Sequence, residues 1–189
     1  MRFARVYLLL ASLFVSSAAL GACGDDPLFP DVLLTIDTVT LTVPESNLAS
    51  ALDLARIQPP YILLRRPELV RDASAWDFAL RRTEGGGLAL RPFDAPGSPY
   101  RGSGIATTTE DFDRIDEAPR GNARYSQALA PVSVGTVWYM RSRQYPSATG
   151  QICLKYAKAR ALEVDAAAGT VKLALVLNDN CDDERLVDD

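Results

Sequence analysis

The chain has 189 residues, of which 20 are basic and 24 are acidic, and it contains no histidine. Because histidine is missing, the Ser-His-Asp and Cys-His catalytic arrangements and most zinc sites are excluded, so we expect neither a metal site nor an enzyme. The formal net charge of −4 disfavours nucleic acid as a partner.

Residues 1–22 are typical of an export signal. Arg2 and Arg5 precede an apolar run from Val6 to Leu20, which is too short to span a bilayer. The run ends in Leu20-Gly21-Ala22-Cys23, which resembles the bacterial lipobox. That resemblance implies a lipid on Cys23 that holds the mature chain on a membrane surface of the bacterial cell envelope. A plain signal peptide followed by an unrelated cysteine is the alternative.

The mature chain is expected to be a short tether followed by one domain. Without residues 1–22, 167 of the 189 residues remain, and the loss of Arg2 and Arg5 leaves 18 basic against 24 acidic residues, a net charge of −6. Residues 23–31 contain two prolines and three acids, which favours a tether. Residues 32–189 are long enough to bury a core.

The first half of this domain shows strand patterns. Val32–Val43 alternates, but its apolar phase changes near Asp37, which predicts a bulge or a corner there. The following residues to Arg56 could form a short helix or a strand, since their leucines fit neither period cleanly. Ala75–Arg82 alternates again, with Trp76, Phe78 and Leu80 on one face, and the glycines at 85–87 predict a hairpin with a partner strand over Leu88–Pro92.

The middle of the domain contains two motifs that could suggest ligands. A glycine-rich stretch at 96–104 lacks the following helix that a phosphate site needs, because the next residues are β-branched, so we expect a loop. Five acids within Thr109–Glu117 lack the spacing and the central glycine of a calcium loop, so a turn or short helix is expected. A strand is predicted over Val132–Met140, with Trp138 and Met140 on one face.

A closing hairpin is predicted from residue 152 to residue 177. If Asp165 pairs with Thr170 across the turn, Leu162 faces Leu173 in the partner strand. The large residues of the first strand then share the face that contacts the core, namely Ile152, Leu154, Tyr156, Leu162 and Val164. This register puts Cys153 opposite Asp182, so a Cys153–Cys181 disulfide requires a bulge or a frayed end near residues 178–180. We expect the disulfide, since both cysteines are exported; two free thiols are the alternative.

Short alternating strands with little helical periodicity predict an all-β fold, a single, mostly antiparallel sheet domain. An apolar ligand pocket could be lined by residues of this domain that also suit a core role, namely Tyr100, Trp138, Tyr139, Met140 and Tyr156.

Several motifs together resemble the HmuY-like haem-capturing lipoproteins. They are WDFALRR at Trp76–Arg82, the glycine-rich loop at 97–104, DFD at 111–113, VWYMRSR at Val137–Arg143 and YAK at 156–158. The similarity covers residues 75–177. It implies a hand-like all-β domain on a lipid anchor, exposed at the outer membrane or cell surface, with haem acquisition as the family's founding activity.

The haem ligands of that family are not matched. Its histidine or methionine ligands lie between the DFD region and the closing strands, where this chain has residues 114–136 without either residue type. The leading hypothesis is therefore a non-enzymatic envelope lipoprotein with an HmuY-like scaffold that binds an unidentified small ligand or protein and needs no cofactor. Haem capture through unconventional ligands such as Met140 is one alternative, and a purely structural envelope protein is the other.

Overall fold

The computed structural model describes residues 32–46, 48–55, 62–63, 76–94, 101–147 and 150–187. The predicted leader, the lipidation site at Cys23, the tether and Tyr100 lie outside these ranges, as does most of the glycine-rich loop. Within the described ranges, no helix has the length and apolar character needed to cross a membrane.

The described residues form twelve β-strands and no α-helix. The strands are β1 (Leu34–Thr42), β2 (Ala51–Leu52), β3 (Ile62–Leu63), β4 (Phe78–Arg82), β5 (Leu88–Pro92), β6 (Gly104–Thr108), β7 (Ala130–Val132), β8 (Val137–Arg141), β9 (Tyr145–Pro146), β10 (Ile152–Cys153), β11 (Tyr156–Asp165) and β12 (Thr170–Asn178). Short 3₁₀ turns occur at Pro44–Ser46, Phe112–Arg114 and Asn122–Arg124. The stretch after Val43, which the sequence left open, thus contains a 3₁₀ turn followed by strand β2.

All strand pairs are antiparallel, which confirms the predicted all-β class. The first sheet has the order β1-β12-β11-β8-β6 and the second sheet has the order β3-β2-β4-β5-β7, while β9 and β10 form a two-stranded ribbon. The antiparallel pairing predicted from the sequence is also confirmed. The number of sheets could not be predicted from strand alternation, because residues on the inner faces of two packed sheets have the same periodicity of two.

The main core lies between the two five-stranded sheets. It combines inward side chains of the first sheet, such as Leu41, Trp138 and Leu173, with those of the second, such as Phe78 and Leu90. A second apolar cluster covers the opposite face of the first sheet, where Tyr139 and Tyr156 pack with Phe112, Ile115 and Leu186 from the connecting segments. The first sheet is therefore covered on both faces around Tyr139 and Tyr156, whereas the outer face of β1 is exposed at Ile36.

Strand β1 lies at the edge of this sheet. It pairs with β12 without interruption along its whole length, so the irregularity predicted near Asp37 was wrong. Val39 and Leu41 face the main core, whereas Leu34 packs on the second cluster and Ile36 is exposed. The apparent change of phase arose because two apolar residues lie on the outer face of this strand, not because its pairing is interrupted.

The hairpin predicted around the glycines at 85–87 is confirmed by the pairing of β4 with β5, and Gly86 has a positive φ of 80° in its turn. Trp76 was wrongly assigned to the face of Phe78 and Leu80. It precedes β4 and packs with Ala79 in a small separate cluster, its ring 5.3 Å from that of Phe93.

The strand predicted over Val132–Met140 is two strands in different sheets. Strand β7 ends at Val132 in the second sheet, a turn with Gly135 at φ 83° follows, and β8 begins at Val137 in the first sheet. The predicted alternation within β8 is confirmed, since Trp138 and Met140 face the main core and Tyr139 faces away from it.

The closing hairpin contains a bulge that the predicted register lacked. Asp165 pairs with Thr170 as expected, but the register shifts between Ala161 and Glu163, so that Ala161, not Leu162, faces Leu173. The predicted face was therefore also wrong: the alanines at 157, 159 and 161 face the main core. Ala159 pairs with Trp138, and its small side chain leaves room for the indole ring.

This bulge also brings the two cysteines together. From Ala161 to Tyr156, each residue of β11 pairs with the residue of β12 one position earlier than the predicted register would give. If this shifted register continues past the Tyr156–Asn178 pair, it aligns Cys153 with Cys181. The two form the predicted disulfide, with Cα atoms 5.1 Å apart. The bulge expected near residues 178–180 was thus wrongly located, because one extra residue anywhere in the hairpin corrects the register.

Candidate functional site: an arginine-lined cleft

An open cleft lies where β6 begins and β8 ends. We call it the arginine cleft; its volume is about 540 Å³, and it is lined by Asp94, Arg101, Gly102, Asn122, Tyr125, Gln127 and Arg141. The volume falls within the range of small-molecule sites. The lining is mostly polar, which distinguishes this cleft from the apolar pocket expected from the aromatic residues.

The strands place Arg141 at the base of this cleft. Arg141 is the last residue of β8 and pairs with Gly104 on one side and with Tyr156 on the other. A Cβ atom at Gly104 would lie 2.6 Å from Cβ of Tyr125 and 3.5 Å from Nη2 of Arg141. Glycine is therefore needed at position 104 for Tyr125 to pack beside the guanidinium.

The guanidinium of Arg141 is buried without a carboxylate. The residue is 5% exposed, its Nη1 donates to Oδ1 of Asn122, and its Cζ lies 5.0 Å from the centre of the Tyr125 ring. Within the described ranges, no acidic side chain pairs with this arginine, and its Nε has no hydrogen-bond partner. A buried cation with one neutral acceptor and one aromatic face is incompletely compensated.

The pKa of Arg141 is shifted in the direction expected for a buried positive charge. Burial lowers the pKa of Arg141, although the nearby tyrosines 156 and 125 oppose the shift and Arg101 adds to it. Because an arginine remains protonated in proteins, the outcome is a desolvated positive charge and not a neutral side chain. Such a charge attracts an anion more strongly than an exposed arginine does.

Tyr125 contributes a second unsatisfied donor. Its hydroxyl is buried and has no hydrogen-bond partner in the described part of the chain. Burial raises the pKa of Tyr125, so the group is a neutral phenol at physiological pH. Its ring lies 6.3 Å from the ring of Tyr156, which supports its position at the side of the cleft.

The rim carries charges of both signs. Arg101 is held by its backbone, which exchanges two hydrogen bonds of 2.9 Å with Gln144. Neither Arg101 nor Asp94 forms an ion pair with another described residue, although both line the cleft. Two guanidinium groups and one carboxylate leave the described lining with a net charge of +1.

A neighbouring arginine has a different environment. Nη1 of Arg143 lies 2.9 Å from Oδ1 of Asp53 and 3.0 Å from Oδ2 of Asp77. Asp77 also accepts backbone hydrogen bonds from Leu54, Ala55 and Arg143. Burial lowers the pKa of Arg143, but the two carboxylates outweigh this and raise it above its ordinary value. This compensated triad links the two sheets.

The residues predicted to bind a ligand do not meet in one place. Trp138 and Met140 are fully buried in the main core, and Tyr139 and Tyr156 lie on the opposite face of the first sheet. Tyr156 is the one nearest to the cleft, through its ring contact with Tyr125. Tyr100 and Cys23 are outside the described residues. Within the described ranges, no three acidic or cysteine side chains are grouped as metal ligands.

Sequence reasoning missed Arg101, Tyr125 and Arg141. A signal for Arg141 was available, since the alternation of β8 puts it on the same face as Tyr139, where a charged residue is unexpected under a covered sheet face. No comparable signal existed for Tyr125, which reaches the cleft through an isolated bridge between Ser126 and Ile105.

No protein-family model, curated protein or solved structure matches this chain. The resemblance to the HmuY-like lipoproteins accordingly stays a prediction from the sequence.

Proposed function

We propose that this protein is a non-enzymatic, lipid-anchored lipoprotein of the cell envelope that binds a small organic anion in the arginine cleft. The observation that carries the proposal is the buried guanidinium of Arg141, which faces an open cleft without a carboxylate partner. Arrival of an anion would supply the missing counter-charge. The HmuY-like scaffold remains part of the proposal, supported by the sequence motifs alone.

The geometry favours a carboxylate or a similar flat anion. Asn122 already occupies Nη1 and Nε is buried, so Nη2 is the nitrogen left for a ligand. A charged N–H donor suits a carboxylate oxygen, and the Tyr125 ring flanks the guanidinium. Each such charge-assisted bond contributes about 1.5–3 kcal/mol, enough for a few of them to hold a small ligand.

The composition of the cleft supports binding over catalysis. The chain has no histidine, and Asp94 is the only carboxylate of the described lining. A pair of carboxylates facing one substrate is therefore not available from these residues. Tyr125, with its raised pKa, is a hydrogen-bond donor and a poor general base at neutral pH.

Calorimetry and thermal unfolding of the full chain in detergent would test the proposal. The probes are sodium salts of propionate, glutarate and phosphate, together with haemin for the family's founding activity. We expect a small organic anion to raise the melting temperature, since a ligand at 100 times its Kd stabilises the folded state by about 2.7 kcal/mol. The gain should disappear in Arg141→Gln.

The matched control is Arg124→Gln, which removes the same charge from an exposed arginine of the adjacent 3₁₀ turn outside the cleft lining. This variant should bind like the parent chain. Equal binding by the parent chain and Arg141→Gln, or no response to any organic anion, would contradict the proposal. A Soret shift that is independent of Arg141 would favour haem capture instead.

The location is tested separately by replacing Cys23 with serine. Loss of the acylated cysteine should move the protein from the membrane fraction to the soluble fraction of lysed cells. An unchanged distribution would contradict the lipid anchor and leave the binding proposal intact.

A further inference from the structure

The carboxylate of Asp94 is the one feature of the described cleft lining that does not suit a simple anion. It shares the cleft with Arg101 and Arg141 and forms no ion pair with either. We infer that the ligand is a zwitterion, an amino acid or a short peptide, whose carboxylate binds Arg141 and whose ammonium group faces Asp94. This inference rests on the proposed function and specifies its ligand class.

The backbone pairing explains how the opposite charges come to line one cleft. The amide of Ser103 donates to the carbonyl of Phe93 at 3.0 Å, and the hydroxyl of Ser103 accepts from the amide of Phe93 at 2.7 Å. This pairing places Asp94, the next residue, beside Gly102. The hydrogen bonds between Phe93 and Ser103 therefore hold Asp94 close to the first residue of β6.

Arg141 approaches the same segment from its other side. Gly104 pairs with Arg141, whereas Ile105 exchanges backbone hydrogen bonds with Ser126, on the side away from β8. Backbone groups of successive strand residues point to opposite sides, so Ser103 and Ile105 share the side that Phe93 occupies. Asp94 and Arg141 thus flank the segment from opposite sides, two strand spacings apart across it and two residues apart along it, roughly 12 Å at the backbone.

This separation suits a short molecule with a charge at each end. Both residues line the cleft, so their side chains span part of this backbone distance. A ligand whose two charged ends each face an opposite charge is favoured, because neither Asp94 nor Arg141 has a competing ion-pair partner in the described structure.

The same carboxylate should exclude multiply charged anions. A dianion would gain from Arg101 and Arg141 but would be repelled by Asp94, since the described lining carries only one net positive charge. A repulsive group in a binding site is a common source of specificity. Asp94 is exposed, so its effect is expected to be moderate.

Paired ligands with and without an amine test the inference on the full chain. The probes are L-alanine, L-alanyl-L-alanine and their N-acetyl forms, titrated by calorimetry. The free amines should bind about fivefold tighter than the acetylated forms, the size expected for an exposed charge pair. Asp94→Asn should remove this preference while leaving the acetylated ligands bound at least as tightly. Arg141→Gln should abolish binding of all four.

The control is Glu84→Gln, which neutralises an exposed acid in the β4–β5 turn, away from the cleft lining. It should keep the amine preference. If the acetylated ligands bind through Arg141 as tightly as the free amines, or if Asp94→Asn retains the preference, the zwitterion inference fails while the proposed function survives. If none of the four ligands binds in an Arg141-dependent way, and the organic anions also fail, both are overturned.

Discussion

Arg141 and Arg143 are two residues apart at the end of β8, and both are at least nine-tenths buried. Arg143 lies within 3.0 Å of two carboxylates, whereas Arg141 has an amide oxygen and the face of a tyrosine ring. The first arginine is neutralised by the fold. The second retains an unbalanced charge, and it is the one that lines the cleft.

The difference separates a structural role from a binding role. A compensated buried charge stabilises the arrangement of the groups around it, and breaking such a pair leaves the partner charge buried. An uncompensated charge contributes little to stability and is best explained by what it binds. Burial alone would have assigned both arginines the same role.

The largest expected effect is on Arg143. Replacing Arg143 with methionine leaves Asp53 and the fully buried Asp77 without their cation, so we expect the free energy of unfolding to fall by about 3–5 kcal/mol. Urea denaturation measures this loss. Arg141→Met is the matched control, and it should change stability by about 1 kcal/mol or less, since it removes a cation–π contact but also an unpaired charge. Equal losses in the two variants would remove the distinction between the arginines.

A smaller effect is expected at Gly104. The Cβ of Gly104→Ala would lie 2.6 Å from Cβ of Tyr125, so the tyrosine must shift away from Arg141 at a cost of about 1–3 kcal/mol. Thermal unfolding and anion titration should both show a loss. Gly85→Ala is the control, because nothing lies within 4 Å of the added methyl group there. A fully stable Gly104→Ala variant with normal binding would show that this packing does not shape the cleft.

The smallest effect on stability is expected for Tyr125→Phe. The lost hydroxyl has no hydrogen-bond partner among the described residues, so the free energy of unfolding should change by no more than about 0.5 kcal/mol. Ser103→Ala should instead lose about 1–2 kcal/mol, since its hydroxyl bonds to Phe93 and Asp77. Anion binding by Tyr125→Phe should also be unchanged, since the buried hydroxyl does not open into the cleft. A several-fold loss of binding would show that the hydroxyl reaches the ligand.

Local patterns predicted the elements well where a strand has one buried face or a distinctive turn. The β4–β5 hairpin followed from alternation on both sides of three glycines, and the faces of β8 followed from alternation alone. The patterns failed for β1, where Leu34 and the exposed Ile36 lie on the outer face, and for β11, where alanines face the main core and a bulge shifts the register. An apolar residue on an outer face looks like a core residue in the sequence, and small core residues do not stand out.

The candidate site was largely beyond prediction. Trp138 and Met140 were chosen for their chemistry, but the same apolar character places them in the core. Arg141 and Tyr125 come from separate segments, which meet only because the chain between them returns to bridge β6 at Ser126. A contact between segments depends on how strands pair, and no local pattern encodes that.

The sequence by itself determined an all-β chain and the residues available for chemistry, since both depend on composition and on the two-residue period of a strand. It also contained both cysteines of the disulfide. Only the tertiary structure decided that a bulge at residues 161–163 aligns Cys153 with Cys181 and that Arg143 is paired while Arg141 is not. These outcomes depend on register and on which segments meet, and the energies that select them arise only when distant residues pack together.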